Sequence, residues 1–228
     1  ADLVIFLSEF AMSQAQSLCN GEIRKQVLIP HGIEQTRLIG QKEKPSCCPD
    51  SPYLLYVSTL DVYKSQKEVI SAFAKLKKGK TFSCKLVLAG ESYPPYRQEI
   101  EEHIDFLGIS EDIILTGLVD KEEIDKLYLN ATINIFASQT ENCPFILLES
   151  MASGRPVLSS NRPPMPELAG DSVMYFDPTN PDSLADSISK LLKNPTLAKE
   201  YAKKGKSKVL EFSLESAVRA TWKELASI

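Results

Sequence analysis

The sequence predicts an α/β protein built on a doubly wound, Rossmann-like parallel sheet. Short apolar runs alternate with segments of helical periodicity along most of the 228 residues. Several runs, such as Tyr53–Val57 and Lys85–Ala89, are almost entirely apolar instead of alternating with polar residues. This pattern is typical of strands that helices cover on both faces. With 43% hydrophobic residues, the chain also has enough apolar side chains for a core.

The predicted elements follow one another in the order that this class requires. Leu3–Leu7 and Val27–Pro30 are predicted strands, with a helix over Glu9–Cys19 between them. Further strands are predicted over Tyr53–Val57, Lys85–Ala89, Ile113–Leu115, Ile133–Phe136, Val157–Leu158 and Val173–Tyr175. The remaining helices are predicted over Gln66–Leu76, Tyr96–Leu107, Lys121–Leu129, Phe145–Ser153, Pro181–Leu192, Leu197–Leu210 and Leu214–Ala226.

The order of these elements divides the chain into four parts. Residues 1–33 are predicted to be a terminal β-α-β fragment that is too small to fold alone. Residues 34–51 show neither period and contain glycine and prolines, so they are a predicted linker. Residues 52–210 form the main Rossmann-like domain, and residues 211–228 hold a last helix. Because the chain begins at Ala1 and runs directly into apolar sequence, we expect it to be part of a longer protein.

Composition argues against several functional classes. A formal net charge of -4 disfavours nucleic acid as a partner. Apolar runs are shorter than the roughly 18–20 residues that span a bilayer, and the first residues do not resemble a signal peptide. Five cysteines without metal-ligand spacing and only two histidines disfavour a metal site. A reducing, cytoplasmic compartment fits this cysteine usage.

The segment 138–157 contains the strongest functional signal. An apolar run is followed by a polar loop and then by a helix that is predicted to open at Pro144, with Asn142 as its cap. Unpaired amides and the dipole of a helix start attract anions. Glu141 in the loop and Glu149 in the helix would be repelled by a bare phosphate. They fit a ligand that also carries hydroxyls, which indicates a nucleotide sugar.

Other candidates also follow predicted strands, where ligands bind in open α/β sheets. Lys64 can reach a diphosphate, or it can be an ordinary solvated lysine. Gly90 lets a backbone approach a ligand, and the loop after Thr116 either flanks a base or is a plain turn. Glu149 and Glu141 likewise have structural readings, as an exposed helix residue and a partner of the helix dipole.

Four further features are interpreted as structural. Glu167, in a proline-rich loop, is predicted to be a helix-start carboxylate in preference to a ligand, and His31 a structural histidine. The adjacent Cys47 and Cys48 are predicted to be solvated linker thiols, and Cys84 a buried free thiol. The sequence lacks a GxGxxG fingerprint, a Walker loop and a Ser/His/Asp arrangement, so dinucleotide redox chemistry and ATP hydrolysis are not supported.

Taken in order, these residues resemble the retaining, GT-B-fold glycosyltransferases of family 4, the glycosyl transferases group 1. The resemblance covers nearly all of residues 1–224. It is carried by Ala1–Glu9, Val27–Ile33, Leu55–Thr59 with Lys64, Lys85–Gly90, Leu115–Gly117 and Ser138–Val157. Each segment alone is weak evidence, but the ordered set, with two glutamates at the family's spacing, is specific.

The resemblance implies two Rossmann-type domains that face each other across a cleft. Residues 52–210 resemble the donor-binding domain, residues 1–33 the end of the acceptor-side domain, and the last helix the one that crosses back. The implied reaction is retaining, metal-independent and free of cofactors. It transfers a hexosyl group from a UDP- or GDP-linked sugar to a glycan or lipid-linked acceptor, in polysaccharide biosynthesis. The location implied is cytoplasmic, with peripheral contact at the inner face of a membrane in the full-length protein.

The resemblance also assigns roles to residues. Glu141 and Lys64 are the implied catalytic pair, Glu141 holding hydroxyls of the transferred sugar and Lys64 neutralising the diphosphate, while Glu149 holds the ribose. The implied contacts to the nucleotide sugar are completed by Asn142, Cys143, Pro144, Phe145, Gly117, Leu118, Val119 and Thr59. Thr59 stands near a position where the family often has arginine, and Asn142–Phe145 replace a glycine-rich loop. Donor binding is therefore expected to depend more on backbone amides.

Two alternatives stay open at this point. One is a sugar-nucleotide epimerase of the same fold, although the acid and base residues that it needs are not evident. The other is a non-catalytic nucleotide-binding or assembly domain. Because most of the acceptor-side domain is absent from the sequence, we expect the chain to bind a donor without turning it over.

Overall fold

The computed structural model describes residues 1–18, 24–34, 43–47, 50–79 and 83–228. Within these residues the strands form a two-stranded and a six-stranded sheet, both parallel. Much of the predicted linker, together with Cys19 and Cys48, lies outside the described residues. In the described part of the chain, no helix is both long enough and apolar enough to cross a membrane.

The small sheet is a single β-α-β unit. Strands β1 (Val4–Phe6) and β2 (Gln26–Leu28) pair in parallel and flank helix α1 (Glu9–Leu18). All described residues of α1 remain at least partly exposed, so the unit buries little apolar surface of its own. Contacts with the main domain, described below, hold it in place.

The large sheet has the strand order of a doubly wound fold. Its strands are β3 (Tyr53–Val57), β4 (Lys85–Ala89), β5 (Ile113–Gly117), β6 (Ile133–Phe136), β7 (Val157–Ser160) and β8 (Met174–Phe176). They lie side by side in the order β5-β4-β3-β6-β7-β8. The order reverses between β3 and β6, which are adjacent in the sheet but distant in sequence. In such sheets the ligand crevice forms at this reversal, beyond the carboxyl ends of the two strands.

Helices cover both faces of this sheet. They are α2 (Gln66–Lys78), α3 (Tyr96–Leu107), α4 (Lys121–Asn130), α5 (Phe145–Ala152), α6 (Met165–Ala169), α7 (Pro181–Lys193) and α8 (Pro195–Lys208). The last helix, α9 (Leu214–Leu225), follows them and has no buried residue. All residues of β3 are buried, and they alternate between two apolar clusters, with Leu54 and Tyr56 in one and Tyr53, Leu55 and Val57 in the other. The almost wholly apolar runs therefore reflect burial on both faces, as predicted.

The structure departs from the predicted boundaries in two instructive places. Helix α8 begins at Pro195 instead of Leu197, because the Asn194 side chain accepts a hydrogen bond from the Leu197 amide and so caps an earlier start. The proline-rich loop after β7 contains the short helix α6, which is not predicted. A five-residue helix is too short to show a helical period in the sequence.

The end of the small unit pairs with the segment that leads into α9. Ile33 and Ser213 form an isolated parallel bridge. A Cβ atom on Gly32 would lie 2.3 Å from the Ser213 carbonyl, so only glycine fits there. Beyond this point, α9 carries an exposed apolar stripe of Leu214, Val218, Trp222 and Leu225.

Candidate functional site

Lys64 and Glu141 form an ion pair at the reversal of strand order. Lys64 ends a single 3₁₀ turn after β3, and Glu141 lies in the loop after β6, 77 residues further along the chain. The Lys64 Nζ atom donates to Oε1 of Glu141, with the side chains only 8% and 16% exposed. The two residues predicted to act together are thus brought together at the edge where a ligand crevice is expected.

The backbone around Lys64 is held by groups from β3 and from the β6 loop. The Tyr56 hydroxyl donates to the Lys64 carbonyl at 2.7 Å, and burial raises the pKa of Tyr56, so the hydroxyl stays a donor. The Gln139 amide donates to the Tyr63 carbonyl at 2.8 Å. Ser65 is fully buried with φ 55°, a left-handed conformation that is uncommon for a residue other than glycine.

The start of α5 lacks a side-chain cap among the described residues. Its N-cap is Pro144, whose side chain has no oxygen with which to accept a hydrogen bond. Five other helices of the described chain are capped by side chains, namely α1 by Ser8 and Glu167, α4 by Asp120, α7 by Asn180, α8 by Asn194 and α9 by Ser213. Helices α2, α3 and α6 have no side-chain cap on their first residue, as in α5. The first amides of α5 thus donate no hydrogen bond to a side chain of the cap residue, a condition under which a helix start can attract an anion.

The predicted cap of this helix is wrong. Pro144 has an extended conformation with ψ 116°, so the helix begins at Phe145, and Pro144 stands before the first helical residue. Asn142 is consequently too far from the helix to cap it. Its Oδ1 atom instead accepts a hydrogen bond from the Ser8 hydroxyl, at 3.3 Å, in the loop after β1. Asn142 therefore connects the small β-α-β unit with the main domain.

Cys143 and Phe145 flank Pro144 with different surroundings. The Cys143 side chain belongs to the apolar core, so only the backbone of this residue faces outward from the loop. Burial also raises the pKa of its thiol. Phe145 is exposed, and its ring stacks on His31 with centroids 4.4 Å apart and planes at 15°. Burial lowers the pKa of His31. The expectation of a structural role for His31 agrees with this packing.

Glu149 lies on the outer side of α5. Leu147, Leu148 and Met151 are the buried residues that pack this helix on the sheet, while Glu149 is half-buried, one turn beyond Phe145 on the same side. Its orientation away from the sheet agrees with the predicted periodicity.

The other predicted residues lie at the ends of neighbouring strands. Gly117 ends β5 with φ 66°, followed by the exposed Leu118 and by Val119, which packs against the apolar cluster beneath. The strand order places this loop two strands away from Lys64. Thr59 follows β3 with an exposed side chain, and its carbonyl accepts from the Gln66 side chain at 2.9 Å.

Gly90 has a different role from the one predicted. A Cβ atom at this position would lie 2.2 Å from the Ser58 carbonyl, and the residue has φ 145°. The close approach that requires glycine is thus to the chain's own backbone, and not to a ligand.

Glu167 caps a helix other than the one that contains it. Its carboxylate accepts from the amides of Glu9, at 2.6 Å, and Phe10, at 3.1 Å, in the first turn of α1. Glu167 lies in the first turn of α6, so the prediction of a helix-start carboxylate is confirmed, and the same carboxylate also caps a second helix that lies 158 residues away in sequence. The sequence does not signal this contact or the contacts of Ser8, Ser65 and Gln139, because such partners become neighbours only in the folded chain.

Comparison with known proteins identifies the family of this arrangement. Residues 41–208 match the family described as glycosyl transferases group 1. The chain is 26% identical over 170 residues to O-antigen chain mannosyltransferase B of Escherichia coli, covering 74% of this chain and 44% of that protein. It is 31% identical over 141 residues to alpha-monoglucosyldiacylglycerol synthase of Streptococcus pneumoniae, covering 62% of this chain and 31% of that protein. The chain thus spans less than half the length of these curated relatives.

Solved structures share the fold. HepE of Anabaena in complex with UDP-glucose superimposes with a TM-score of 0.88 at 18% identity, covering 100% of this chain and 64% of that one. Sucrose-phosphate synthase of Thermosynechococcus elongatus gives 0.85 at 22% identity, covering 100% and 59%. These likenesses confirm the Rossmann-like α/β class. Together with a family match over most of its length, they show that the chain belongs to the glycosyl transferases group 1 family.

Proposed function

We propose that this chain is the donor-binding part of a retaining, metal-independent glycosyltransferase of family 4. The observation that carries the proposal is the Lys64–Glu141 pair at the reversal of strand order, with Glu141 in the loop that leads to the uncapped start of α5. A cation, a carboxylate and free helix amides suit a ligand that combines a diphosphate with sugar hydroxyls. The donor is a UDP- or GDP-linked sugar, and the domain requires no cofactor.

Each group has a distinct part in donor binding. The first amides of α5 hold the diphosphate, and Lys64 supplies a positive charge to it. Glu141 accepts hydrogen bonds from hydroxyls of the transferred sugar. Glu149 does the same for the ribose, since its position on the outer side of α5 keeps its carboxylate out of the core. The exposed loop at Leu118 borders the base.

The chemistry proposed for this half of the enzyme is electrostatic. When the bond between sugar and diphosphate breaks, negative charge grows on the leaving nucleoside diphosphate. Lys64 and the α5 amides stabilise that charge, and because they are already fixed by the fold, little reorganisation is needed as the charge develops. Glu141 meanwhile keeps the sugar oriented, so that the acceptor attacks from the same face as the leaving group departs.

The acceptor in this proposal is a glycan or a lipid-linked sugar, bound by a longer protein that acts in the cytoplasm at the inner face of a membrane. The names of the two curated relatives support these acceptor classes, because one is an O-antigen chain mannosyltransferase and the other a glucosyldiacylglycerol synthase. No observation on the described residues favours a sugar-nucleotide epimerase or a non-catalytic assembly domain.

The test is a calorimetric titration of the chain with UDP and GDP, with and without the Lys64 charge. We expect Lys64→Met to weaken nucleoside diphosphate binding roughly 10- to 100-fold, the value of one charge-assisted contact. The matched control is Lys203→Met on the exposed side of α8, which should bind like the wild-type chain. Failure of the wild-type chain to bind either nucleotide, or equal losses in both variants, would refute the proposed function.

A further inference from the structure

Gln139 ties the loop after β6 to the turn that carries Lys64. Its side-chain Nε2 donates to the Ser65 hydroxyl at 2.8 Å, and its backbone amide donates to the Tyr63 carbonyl at 2.8 Å. These two acceptors stand on either side of Lys64 in the chain. Gln139 therefore holds the lysine's backbone from both directions.

The same loop carries the partner of the lysine. Glu141 follows Gln139 closely, and both side chains reach across to the turn after β3, one to Lys64 and the other to Ser65. These hydrogen bonds join the turn that carries the ammonium and the loop that carries the carboxylate into a short closed ring. Ser65 is fully buried in its left-handed conformation, so this ring has little freedom to adjust.

We propose that Gln139 is a positioning residue for donor binding, which acts by fixing Lys64 relative to Glu141 and the start of α5. The inference rests on the proposed function, because it takes Lys64 to be the diphosphate partner. Gln139 itself need not touch the ligand. Its loss lets the Lys64 turn move away from the β6 loop, which weakens the diphosphate contact and leaves contacts to the nucleoside unchanged.

Ser65→Gly separates this role from simple structural support. Glycine adopts φ 55° without the penalty that serine pays, so the variant relieves backbone strain while it removes the acceptor for Gln139. The melting temperature should stay the same or rise while diphosphate affinity falls. A purely structural tie would make stability and affinity fall together.

The experiment compares the wild-type chain with Gln139→Met, Ser65→Gly, the double variant and a control, Gln98→Met. Gln98 lies on the exposed surface of α3, where its side chain bonds only to Glu102 in the described chain. Binding of the preferred nucleoside diphosphate is measured by calorimetry, and binding of the corresponding nucleoside by NMR titration. We expect both single variants to weaken diphosphate binding roughly fivefold, the value of the one neutral hydrogen bond that each variant removes. The double variant should be no weaker than either, because both break the same contact.

The outcomes separate the inference from the proposed function. If the wild-type chain binds no nucleotide, the proposed function fails and the inference fails with it. If Lys64→Met weakens diphosphate binding but Gln139→Met and Ser65→Gly do not, the inference alone is wrong. The inference is also overturned if nucleoside and diphosphate affinities fall by the same factor.

Discussion

Replacing Glu141 with glutamine should have opposite effects on stability and on diphosphate binding. Glutamine keeps the shape of the side chain and removes its charge, so the Lys64 ammonium, 8% exposed, loses its counter-charge. Breaking a fully buried pair costs about 3–5 kcal/mol, and breaking an exposed pair costs about 0–1 kcal/mol. Glu141 is 16% exposed and the glutamine oxygen can still accept a hydrogen bond, so we expect a loss of about 1–3 kcal/mol. For a chain of this size that corresponds to a fall in Tm of roughly 2–12 °C.

The same variant should bind a nucleoside diphosphate at least as tightly as the wild-type chain does. In the wild-type site the diphosphate competes with Glu141 for Lys64, and in Glu141→Gln it does not. A nucleotide sugar should behave differently, because it also loses the carboxylate that holds its hydroxyls. The predicted signature is therefore a lower Tm without ligand, a larger shift in Tm with diphosphate, and a smaller advantage of nucleotide sugar over diphosphate.

Differential scanning calorimetry measures all three quantities when it is run without ligand, with saturating diphosphate and with saturating nucleotide sugar. Glu215→Gln is the matched control, because Glu215 pairs with Arg219 on α9 with both side chains about 80% exposed. Its removal should change the free energy of unfolding by no more than about 0.5 kcal/mol. Weaker diphosphate binding by Glu141→Gln, in parallel with its loss of stability, would refute this reasoning. Lys64 would then not be the group that leaves the Glu141 carboxylate to pair with the diphosphate.

Three other perturbations test the contacts between the small unit and the main domain. Burial lowers the pKa of His31 below 6.5, so the stability contributed by neutral His31 is complete above pH 6.5 and is lost as pH falls through the lowered pKa. His31→Phe should remove this part of the pH dependence of Tm. A pH profile of Tm unchanged by the substitution would contradict this role of His31. Gly32→Ala should lower the free energy of unfolding by at least about 1–3 kcal/mol in chemical denaturation, because the new Cβ meets the Ser213 carbonyl. The control Gly108→Ala has open space around the new Cβ and should cost only about 1 kcal/mol. Equal losses in the two variants would show that the backbone contact between Gly32 and Ser213 is not tightly packed. Glu167→Ala should speed amide hydrogen exchange in the first turn of α1 by roughly fivefold, the effect of losing a cap worth about 1 kcal/mol, and leave exchange in the large sheet unchanged.

The fold was predictable because the information about it is local. The runs Tyr53–Val57 and Lys85–Ala89 show burial on both faces from residue type alone, and the intervening helical segments then require a parallel sheet. The edge of the sheet that carries the site followed from the same pattern, since Lys64 and Glu141 each come after a strand. Their pairing did not follow, because periodicity does not specify that β3 lies beside β6.

The errors concern details that depend on a single backbone torsion or on distant partners. Asn142 was an acceptable cap by residue type, but the extended conformation of Pro144 moves the helix start and sends Asn142 to Ser8 instead. Glycine at position 90 was correctly predicted to allow a close approach of the backbone, although the group approached is the Ser58 carbonyl and the prediction named a ligand. The bond between Gln139 and Ser65 joins residues 74 apart, and neither residue type signals the other in the sequence.

Charge balance explains why the lysine alone is not enough for this site. Lys64 is already paired with Glu141, so the pair carries no net charge with which to attract an anion. The proposed diphosphate therefore needs a further positive group. The start of α5 supplies it, because Pro144 leaves the helix without a side-chain cap in the described chain and the amides and dipole remain unopposed. A side-chain carboxylate placed at that cap, as in Pro144→Asp, would occupy the amides and add negative charge at a buried position, and so should abolish diphosphate binding.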